Sequence, residues 1–406
     1  MPLILIVIVL VAFAGLAWRD LKLALTLILA LLPTYLLRFE VVMPWTVLEG
    51  FILIAFVVWL FGRNGFKLDL RTLGKYRASL FFLLAMATFA IIWAPDQASA
   101  LGIWKAYFIE PMLMFLMLRS TFTKRADWTR ALTALGLTTI AIAGFAILQK
   151  LTGLGLPIPW DFERRATSIF EYPNAVGLFV APIVTAFCVV RPRLAIIAVP
   201  LGFVAILLAE TEAALVAIPI ALLATLLIAR RAGPNPTPTV KTKITALIGS
   251  VVIAVAVLAI VPAVREKILL RDYSGGVRVA QWSETIELLK DRPLQGAGLS
   301  GYPTVFEPYH DPRLYEIFQY PHNVILNFWV EMGAFGVIAF VWIAIVTLKL
   351  TWQHRDDILV LAAFAALLTM MIHGLVDVPF LKNDLAVLTA FFLAMTLAPS
   401  SLTVDR

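Results

Sequence analysis

Residues 324–348 read VILNFWVEMGAFGVIAFVWIAIVTL, and Glu331 is the one charged side chain in this run. About 20 consecutive, mainly apolar residues suffice for an α-helix to cross a lipid bilayer. Comparable runs recur along the whole chain, at residues 3–18, 23–37, 47–61, 80–94, 101–118, 131–148, 175–190, 194–208, 213–228, 244–261, 358–376 and 385–397. The sequence therefore predicts an all-α, polytopic transmembrane helical bundle of about 12–14 helices.

The composition of the 406-residue chain agrees with this prediction. Hydrophobic residues make up 61% and charged residues 15%, and the mean hydropathy is +0.91. A soluble domain carries about 25% charged residues, so a soluble multidomain protein is excluded. A transmembrane barrel is disfavoured because its strands alternate apolar and polar side chains. The single cysteine, Cys188, lies in an apolar run, so an intrachain disulfide is excluded.

The formal net charge of +7 comes from short basic loops between the apolar runs. By the positive-inside rule these loops face the cytoplasm, so the charge reports topology and nucleic acid is not an expected partner. The first apolar run has no basic residues before it and is followed at once by another, so we expect a retained helix and not a signal peptide. The basic residues are Arg63, Lys67, Arg71, Lys75, Arg77, Arg119, Lys124, Arg125, Arg130, Arg191, Arg193, Arg230, Arg231, Lys241 and Lys243.

This orientation places three segments outside the membrane: residues 150–173, the link around Glu210 and Glu212, and residues 262–321. The Pro- and Gly-rich stretch AGPNPTPTV is then a cytoplasmic loop. The predicted parts of the chain are N-terminal transmembrane helices (1–160), a second transmembrane region (161–398) with an extracytoplasmic loop (262–322), and a cytoplasmic tail (399–406).

The long outward loop contains a helical pattern, so it is predicted to be mostly helical. In RVAQWSETIELLKDRP, the apolar side chains Val279, Trp282, Ile286 and Leu289 recur at spacings of three and four. This periodicity predicts a helix that ends before Pro293. We expect its apolar face to lie against the membrane surface or to cap the bundle.

Gly296, Gly298 and Gly301 match the G-x-G-x-x-G pattern of dinucleotide-binding folds. That fingerprint requires a strand before it and a helix after it, within a parallel sheet. Here the glycines follow a predicted helix in an outward loop. The pattern is therefore predicted to be a turn and not a nucleotide site.

Three ionisable residues on the predicted outer side suit phosphate chemistry. Arg165 precedes one span, Arg278 begins the amphipathic helix, and His322 lies at the mouth of the next span. A guanidinium binds phosphate oxygens bidentately, and a neutral imidazole accepts a proton from a hydroxyl group. However, interfacial arginines often snorkel or pair with carboxylates, and a histidine beside a helix start is often structural. Asn174 and Asn323 likewise suit helix caps, so the residue types leave both interpretations open.

Other ionisable residues lie within or near the apolar runs, where a charge is costly. Lys105 and Glu110 are five positions apart and do not face each other on one helix, so each is expected to have its partner elsewhere. Structural pairing and the lining of a lipid-carrier groove both remain open for this group. Its members are Glu49, Lys105, Glu110, Glu331, His373 and Asp377.

Several motifs resemble those of the O-antigen ligase and Wzy polymerase superfamily. From Arg278 onward, an Arg–Trp helix leads to P-x-x-G-x-G, and a His-Asn pair at His322 opens a helix with E-x-G. Upstream, RATSIFEYPN resembles that family's R-x-x-G-x-F-x-x-P-N block, with Arg165 and Asn174 in register. Near the C-terminus, HGLVD, which ends at Asp377, is similar to its H-G-x-x-D element.

The chain departs from the family pattern at two places. Ser168 stands where the family often has glycine. The run ETEAALVA, which begins at Glu210, occupies the position of a T-x-S-R-G-like run and lacks its basic residue. The second departure leaves the subfamily open.

The resemblance implies a glycosyltransferase of the cytoplasmic (inner) membrane with its active site on the extracytoplasmic side. Such an enzyme moves a glycan from an undecaprenyl-diphosphate-linked donor to a glycan, lipid or protein acceptor, within membrane lipids and without a cofactor or metal. The resemblance places Arg165 and Arg278 at the diphosphate and His322 at the acceptor hydroxyl, as catalytic residues. Further residues implied to bind substrate are Arg164, Asn174, Trp282, Asn323 and Asp377.

A membrane transporter or channel without glycosyl transfer is the alternative from a different class. Pro182, Pro200 and Pro219 interrupt apolar runs, as helix-breaking residues do in transporters. Transporters are commonly built from repeated halves, and the sequence shows no internal repeat, which favours the enzyme. Within the enzyme class, a ligase, a polymerase and a protein oligosaccharyltransferase share these motifs, so the acceptor stays open.

Overall fold

The computed structural model describes residues 3–41, 43–62, 70–229 and 270–398, together with Glu266. The predicted loop at 232–240, the predicted span at 244–261 and the predicted tail at 399–406 lie outside these residues. So do several of the basic loop residues. These are Arg63, Lys67, Arg230, Arg231, Lys241 and Lys243.

The described chain is helical almost throughout. Its α-helices are α1 (Leu3–Arg19), α2 (Leu21–Ala30), α3 (Val47–Phe61), α4 (Arg77–Ala90), α5 (Gln97–Trp104), α6 (Glu110–Thr121), α7 (Arg125–Thr152), α8 (Trp160–Glu163), α9 (Pro173–Val190), α10 (Ala195–Leu208), α11 (Glu212–Ala229), α12 (Tyr273–Asp291), α13 (Tyr302–Phe306), α14 (Val324–Gln353), α15 (Ile358–His373) and α16 (Asn383–Met395). A π-turn (Lys105–Ile109) joins α5 to α6, and short 3₁₀ helices occur at Leu32–Leu36, Leu70–Tyr76 and Glu307–Tyr309.

The predicted membrane spans agree with these helices. Every predicted span within the described residues overlaps a helix. Five helical segments are long and apolar enough to cross a membrane, and several shorter apolar helices accompany them. The long segments are Gln97–Thr121, Arg125–Thr152, Pro173–Val190, Glu212–Ala229 and Val324–Gln353. The prediction of a polytopic transmembrane helical bundle is confirmed.

A two-stranded antiparallel hairpin precedes α3, which the sequence analysis did not predict. Its strands are β1 (Arg38–Val41) and β2 (Met43–Thr46). The hairpin ends in a capping box, in which Thr46 Oγ1 accepts from the Glu49 N–H at 3.2 Å and Glu49 Oε2 accepts from the Thr46 N–H at 2.7 Å. The hairpin therefore fixes the start of α3.

Lys105 and Glu110 are each expected to have a partner elsewhere, and among the described residues this holds for Lys105 but not for Glu110 Oε1. Lys105 Nζ lies 3.2 Å from Glu49 Oε1 and 3.9 Å from the centre of the Trp45 ring. Glu110 is buried, and its Oε1 atom has no hydrogen-bond partner among the described residues. Lys105 thus forms a structural ion pair with Glu49 and a cation–π contact with Trp45. These contacts offset the cost of a charge at membrane depth.

Contacts between loops define one end of the bundle, which we call the site end. Arg165 Nη2 donates to the Ala209 carbonyl at 3.1 Å, and Asn174 Nδ2 donates to Asp377 Oδ2 at 3.2 Å. At the opposite end, the basic end, Lys22 Nζ pairs with Asp127 Oδ2 at 2.8 Å, and Arg125 pairs with Asp357. The site end comprises residues 91–96, 153–172, 209–211, 270–323 and 374–382.

Helix α12 ends at Asp291, before Pro293, as predicted. On its predicted apolar face, Val279 and Ile286 are 50% and 45% exposed and Leu289 is buried, whereas the polar Gln281 and Thr285 are fully buried. The polar side chains are buried because they have partners inside the loop. Thr285 Oγ1, for example, hydrogen-bonds the Tyr302 hydroxyl at 2.7 Å. Val279 and Ile286 thus do not cap the bundle, and their placement against the membrane surface stays a prediction.

The G-x-G-x-x-G segment is a turn, as predicted. Gly298 has a φ of 79°, and a Cβ atom there would lie 2.6 Å from the backbone nitrogen of Ala94. Next to it, the Ser300 N–H donates to Glu331 Oε2 at 2.9 Å. Only glycine allows both the left-handed backbone and the close approach, so the segment anchors the outer loop to the bundle.

The positive-inside rule predicts that the basic end faces the cytoplasm and the site end faces the outside, and chemical labelling can test this topology. In a Cys188→Ser background, we expect a membrane-impermeant maleimide to label Glu307→Cys in intact cells and Asp356→Cys only after permeabilisation. Both side chains are exposed, and they lie at the site end and the basic end, respectively. The lysine- and arginine-rich loops determine this orientation. The reverse labelling pattern would place the site end in the cytoplasm.

Candidate active site

Three side chains on one face of α12 hold the segments that follow it in the chain. Arg278 Nε donates to the Val376 carbonyl at 3.1 Å. Gln281 Nε2 donates to the Tyr320 carbonyl at 3.0 Å, and Trp282 Nε1 donates to the Pro321 carbonyl at 2.8 Å. Residues three and four positions apart share a helix face, so one helix positions both the entry to α14 and the turn after α15.

The amide of Gln281 determines which nitrogen of His322 carries the proton. Its Nε2 group donates to Tyr320, so its Oε1 atom faces His322 Nδ1, at 3.1 Å. An amide oxygen only accepts, so Nδ1 must carry the hydrogen and donate it. The remaining ring nitrogen, Nε2, then holds the free lone pair of a neutral imidazole. His322 is thereby set up as a proton acceptor.

The surroundings of His322 favour the neutral ring. Burial lowers the pKa of His322 below its usual value, the charge of Arg278 lowers it further, and the charge of Asp377 opposes both. The ring contacts those of Phe318 and Tyr320, each with centroids 4.9 Å apart. The backbone of His322 has a φ of 46°, which is strained for a non-glycine residue and typical of functional positions.

The turn after α15 completes the site. Asp377 is buried, and its carboxylate accepts from Asn174 Nδ2 at 3.2 Å and from the Val378 N–H at 2.8 Å. Asn323 caps α14 through its Oδ1 atom and donates from Nδ2 to the Leu375 carbonyl at 3.0 Å. Asn323 is therefore a helix cap, whereas Asn174 lies in the first turn of α9, whose N-cap residue is Tyr172. Both asparagines also join separate segments. His373, the last residue of α15, is buried beside this turn.

Arg165 is held by a different part of the site end. Its guanidinium donates to the carbonyls of Ala209 and Glu210, at 3.1 and 3.4 Å, and lies 5.1 Å from the Trp160 ring. Its nearest carboxylate, that of Glu163, is 4.0 Å away. The hydrogen bonds of Arg165 and Arg278 thus run to different segments, so the structure does not join the two arginines directly.

Arg164 takes a separate position from its neighbour. It is exposed, has a φ of 51°, and its carbonyl accepts from Lys150 Nζ at 2.9 Å. Six of the predicted site residues thus form one connected group, and Arg164 and Arg165 lie outside it. The connected group is Arg278, Trp282, His322, Asn323, Asn174 and Asp377.

Residues 197–341 match the Wzy_C family, described as O-antigen ligase. This segment is therefore similar to the O-antigen ligase family. This match confirms the resemblance to the O-antigen ligase and Wzy polymerase superfamily, and it supports glycosyl transfer of the ligase or polymerase type by a multi-pass membrane enzyme. No curated protein matches the chain.

The segment that matches the O-antigen ligase family contains the part of the candidate site built on α12 and the start of α14. Arg278, Trp282 and His322 lie within the matched residues, whereas Asn174 and Asp377 lie on either side of them. The hydrogen bond between Asn174 and Asp377 brings these flanking segments to the matched one. The broader region predicted from the sequence, 161–398, stays a prediction.

The sequence analysis missed Gln281, which contacts both the Tyr320 carbonyl and His322 in the candidate site. A signal for it exists, because Gln281 lies three positions after Arg278 and directly before Trp282. Those positions share a helix face with Arg278, so a polar side chain there faces the same neighbours. The apolar periodicity instead predicted that the face with Val279, Ile286 and Leu289 lies against the membrane surface or the bundle.

An apolar cavity of about 150 Å³ lies between the helices next to the site end. It is bounded by α4, the π-turn, α6, α14, α15 and the segment that leads into α16. Phe380 and Leu381 line it beside the turn that carries Asp377. Further lining residues include Leu84, Tyr107, Met112, Phe340 and Leu367.

The tautomer of His322 predicts a pH effect of Gln281→Glu. If His322 is the base, it is active in its neutral form, and activity is expected to fall as the pH drops through its pKa, which burial lowers below its usual value. A carboxylate at position 281 stabilises the imidazolium and raises that pKa. We expect the acidic limb of the kcat/KM profile to move to higher pH in Gln281→Glu and to stay in place in the control Gln295→Glu. An unshifted profile would show that His322 is not the titrating base.

Proposed function

We propose that this protein transfers a glycan from an undecaprenyl-diphosphate-linked donor to an acceptor hydroxyl on the outer face of the cytoplasmic membrane. One observation carries this proposal: Gln281 holds the imidazole of His322 with Nε2 as the proton acceptor, next to the positive charge of Arg278. A base and a fixed cation are what an attack by a hydroxyl on a glycosyl diphosphate requires.

In the proposed step, His322 Nε2 accepts the proton of the acceptor hydroxyl as its oxygen bonds to the anomeric carbon. The bond between that carbon and the diphosphate oxygen breaks, and its electron pair stays on the leaving diphosphate. Arg278 stabilises the charge that develops there, because a guanidinium presents several N–H donors and remains protonated. Its Nε hydrogen bond to Val376 fixes the direction of the group.

Arg165 is proposed to bind the diphosphate as well, from the other side. Its Nε and Nη2 atoms are directed at the Ala209 and Glu210 carbonyls, and Nη1 is 4.0 Å from the exposed Glu163. Guanidinium has five N–H donors, so donors remain for an anion. With two cationic side chains for the diphosphate, we propose a reaction without metal or cofactor. Asn174, Trp282, Asn323, Asp377 and Arg164 are proposed to position the substrates.

The isoprenoid tail of the donor is proposed to enter the apolar cavity. A polyprenyl chain needs an apolar path that begins close to the diphosphate site, and the cavity begins at Phe380 and Leu381, beside the turn after α15. Leu84 and Leu367 continue the lining deeper between the helices. The rest of the tail lies among the surrounding membrane lipids.

The transporter alternative receives no support from the family match, which favours glycosyl transfer. The acceptor class separates a ligase, a polymerase and a protein oligosaccharyltransferase. A deletion strain distinguishes them by the chain length of its surface glycans and by whether these are attached to lipid or protein. Unchanged glycans in that strain would count against the proposed function.

We expect His322→Ala to reduce single-turnover transfer by about 10²–10⁴-fold, the range for loss of a general base. Donor affinity should stay close to that of the wild type, because His322 acts at the acceptor. His322→Gln should recover activity only if the ring mainly orients the acceptor. Both quantities are measured side by side on purified protein in lipid. A loss of donor binding equal to that of Arg278→Ala would assign His322 to the diphosphate instead.

We expect Arg278→Lys to lose roughly 10–100-fold of transfer activity, because an ammonium does not reproduce the guanidinium fork. The variant should still insert in the membrane. The matched control is Arg313→Lys, since Arg313 is exposed and pairs with Asp311 in the same outer loop. Full activity in Arg278→Lys would leave Arg278 as a structural residue that only holds Val376.

A further inference from the structure

Lys382 lies between the apolar cavity and the candidate site. It directly follows Phe380 and Leu381, which line the cavity, and it occupies the N-cap position of α16. Neither the sequence motifs nor the family match includes it, because the match ends at residue 341. Lys382 therefore lies at the end of the cavity that is nearest to the turn with Asp377.

The ammonium of Lys382 is held by two tyrosines. Nζ donates to the hydroxyl of Tyr320 at 2.9 Å and to that of Tyr172, and it lies 4.8 and 4.5 Å from the centres of the same two rings. We call Lys382, Tyr172 and Tyr320 the Lys382 cluster. An ammonium has three N–H donors, and two of them are used here. One N–H donor is left for an anionic oxygen.

The hydrogen-bond partners of Lys382 are neutral, but two carboxylates favour its positive charge. Burial lowers the pKa of Lys382, and the charges of Asp384 and Glu171 oppose this shift. The pKa of Tyr320 is raised well above its usual value, chiefly by burial, so its hydroxyl keeps its proton. A hydroxyl that accepts from Lys382 can still donate that proton to an anion.

The Lys382 cluster is joined to the proposed catalytic groups from two sides. The Tyr320 ring lies 4.9 Å from that of His322, and its backbone carbonyl accepts from Gln281. Tyr172 precedes Pro173 and Asn174, and Asn174 donates to Asp377. The cluster thus lies beside the base and on the side of the cavity.

We infer that the Lys382 cluster binds a phosphate group of the lipid-linked donor and holds it at the mouth of the apolar cavity. The inference rests on the proposed function. Lys382 Nζ and the two hydroxyls donate hydrogen bonds to phosphate oxygens, and no proton is transferred. As the bond to the sugar breaks, the electron pair that moves to the leaving diphosphate is stabilised by this fixed positive charge.

A merely structural bridge between Tyr172 and Tyr320 is the competing role for Lys382. Two neutral hydroxyls would be joined equally well by a neutral side chain, without the cost of desolvating an ammonium. The charges of Asp384 and Glu171 offset part of that cost, and an anion of the donor would offset it further. The two roles differ in their dependence on the phosphate of the ligand, which binding measurements separate.

The test is binding of undecaprenyl diphosphate and of undecaprenol to the full chain in lipid nanodiscs. For Lys382→Met we expect affinity for the diphosphate to fall by about tenfold or more, the effect of losing a charge-assisted hydrogen bond. Affinity for undecaprenol, which has no phosphate, should be unchanged. Lys290→Met is the matched control, since Lys290 is exposed, pairs with Glu287 and lies in the same outer loop. It should bind both lipids as the wild type does.

Two further variants keep the inference testable if Lys382→Met does not fold. Lys382→Arg, which keeps the charge, should retain most of the diphosphate affinity. Tyr320→Phe, which keeps the ring and loses the hydroxyl, should weaken diphosphate binding and leave undecaprenol binding unchanged. Equal losses for both lipids in these variants would show a structural bridge and overturn the inference.

The remaining outcomes separate this inference from the proposed function. Wild-type diphosphate affinity in Lys382→Met would overturn the role of Lys382 while the proposed function stands. If phosphatidylglycerol in the nanodiscs competed for the site as strongly as undecaprenyl diphosphate does, the cluster would bind ordinary lipid head groups. That result would overturn the inference. A wild-type chain that neither binds undecaprenyl diphosphate nor transfers a glycan would overturn the proposed function itself.

Discussion

The side-chain amide of Gln281 bridges the Tyr320 carbonyl and the His322 ring, and the geometry of the site depends on this bridge. An amide has a donor and an acceptor at fixed positions, so a donor bond to the carbonyl leaves only an acceptor for the imidazole. Gln281 is fully buried, so an unmade hydrogen bond there is costly. The rotation of α12 about its axis is thereby fixed, and with it the positions of Arg278 and Trp282.

The fold was predictable to the extent that it depends on hydropathy. Long apolar runs have few alternatives to membrane-spanning helices, so all predicted spans within the described residues overlap helices. The hairpin before α3 was not predictable from hydropathy. Its strands are only four residues long, and among the described residues they pair with each other alone. Burial of the polar face of α12 was not predictable from the apolar pattern either. In a membrane protein the apolar side of an interfacial helix can face lipid, and the polar side can face the protein.

The residues of the candidate site stay a prediction from motif resemblance, and the sequence predicted their contacts only in part. Motif resemblance selected Arg278, His322 and Asp377, and the structure joins them through α12 and the turn after α15. The sequence gives no distance between segments, so it did not show that Arg165 is held by the Ala209 and Glu210 carbonyls. The contacts that matter most span long stretches of the chain. Tyr172, for example, meets Lys382, more than half the chain away.

The charges at the site act against each other in a way that suits transfer from a diphosphate. Arg278 is suited to stabilise a leaving anion, yet its charge also lowers the pKa of His322 and so weakens the base. Asp377 opposes that effect, and its own carboxylate is held by Asn174 and the Val378 N–H. In the proposed donor complex, the diphosphate offsets the positive charge of Arg278, so the base gains strength when the donor is present. The same cation then serves the leaving group without suppressing the histidine that activates the acceptor.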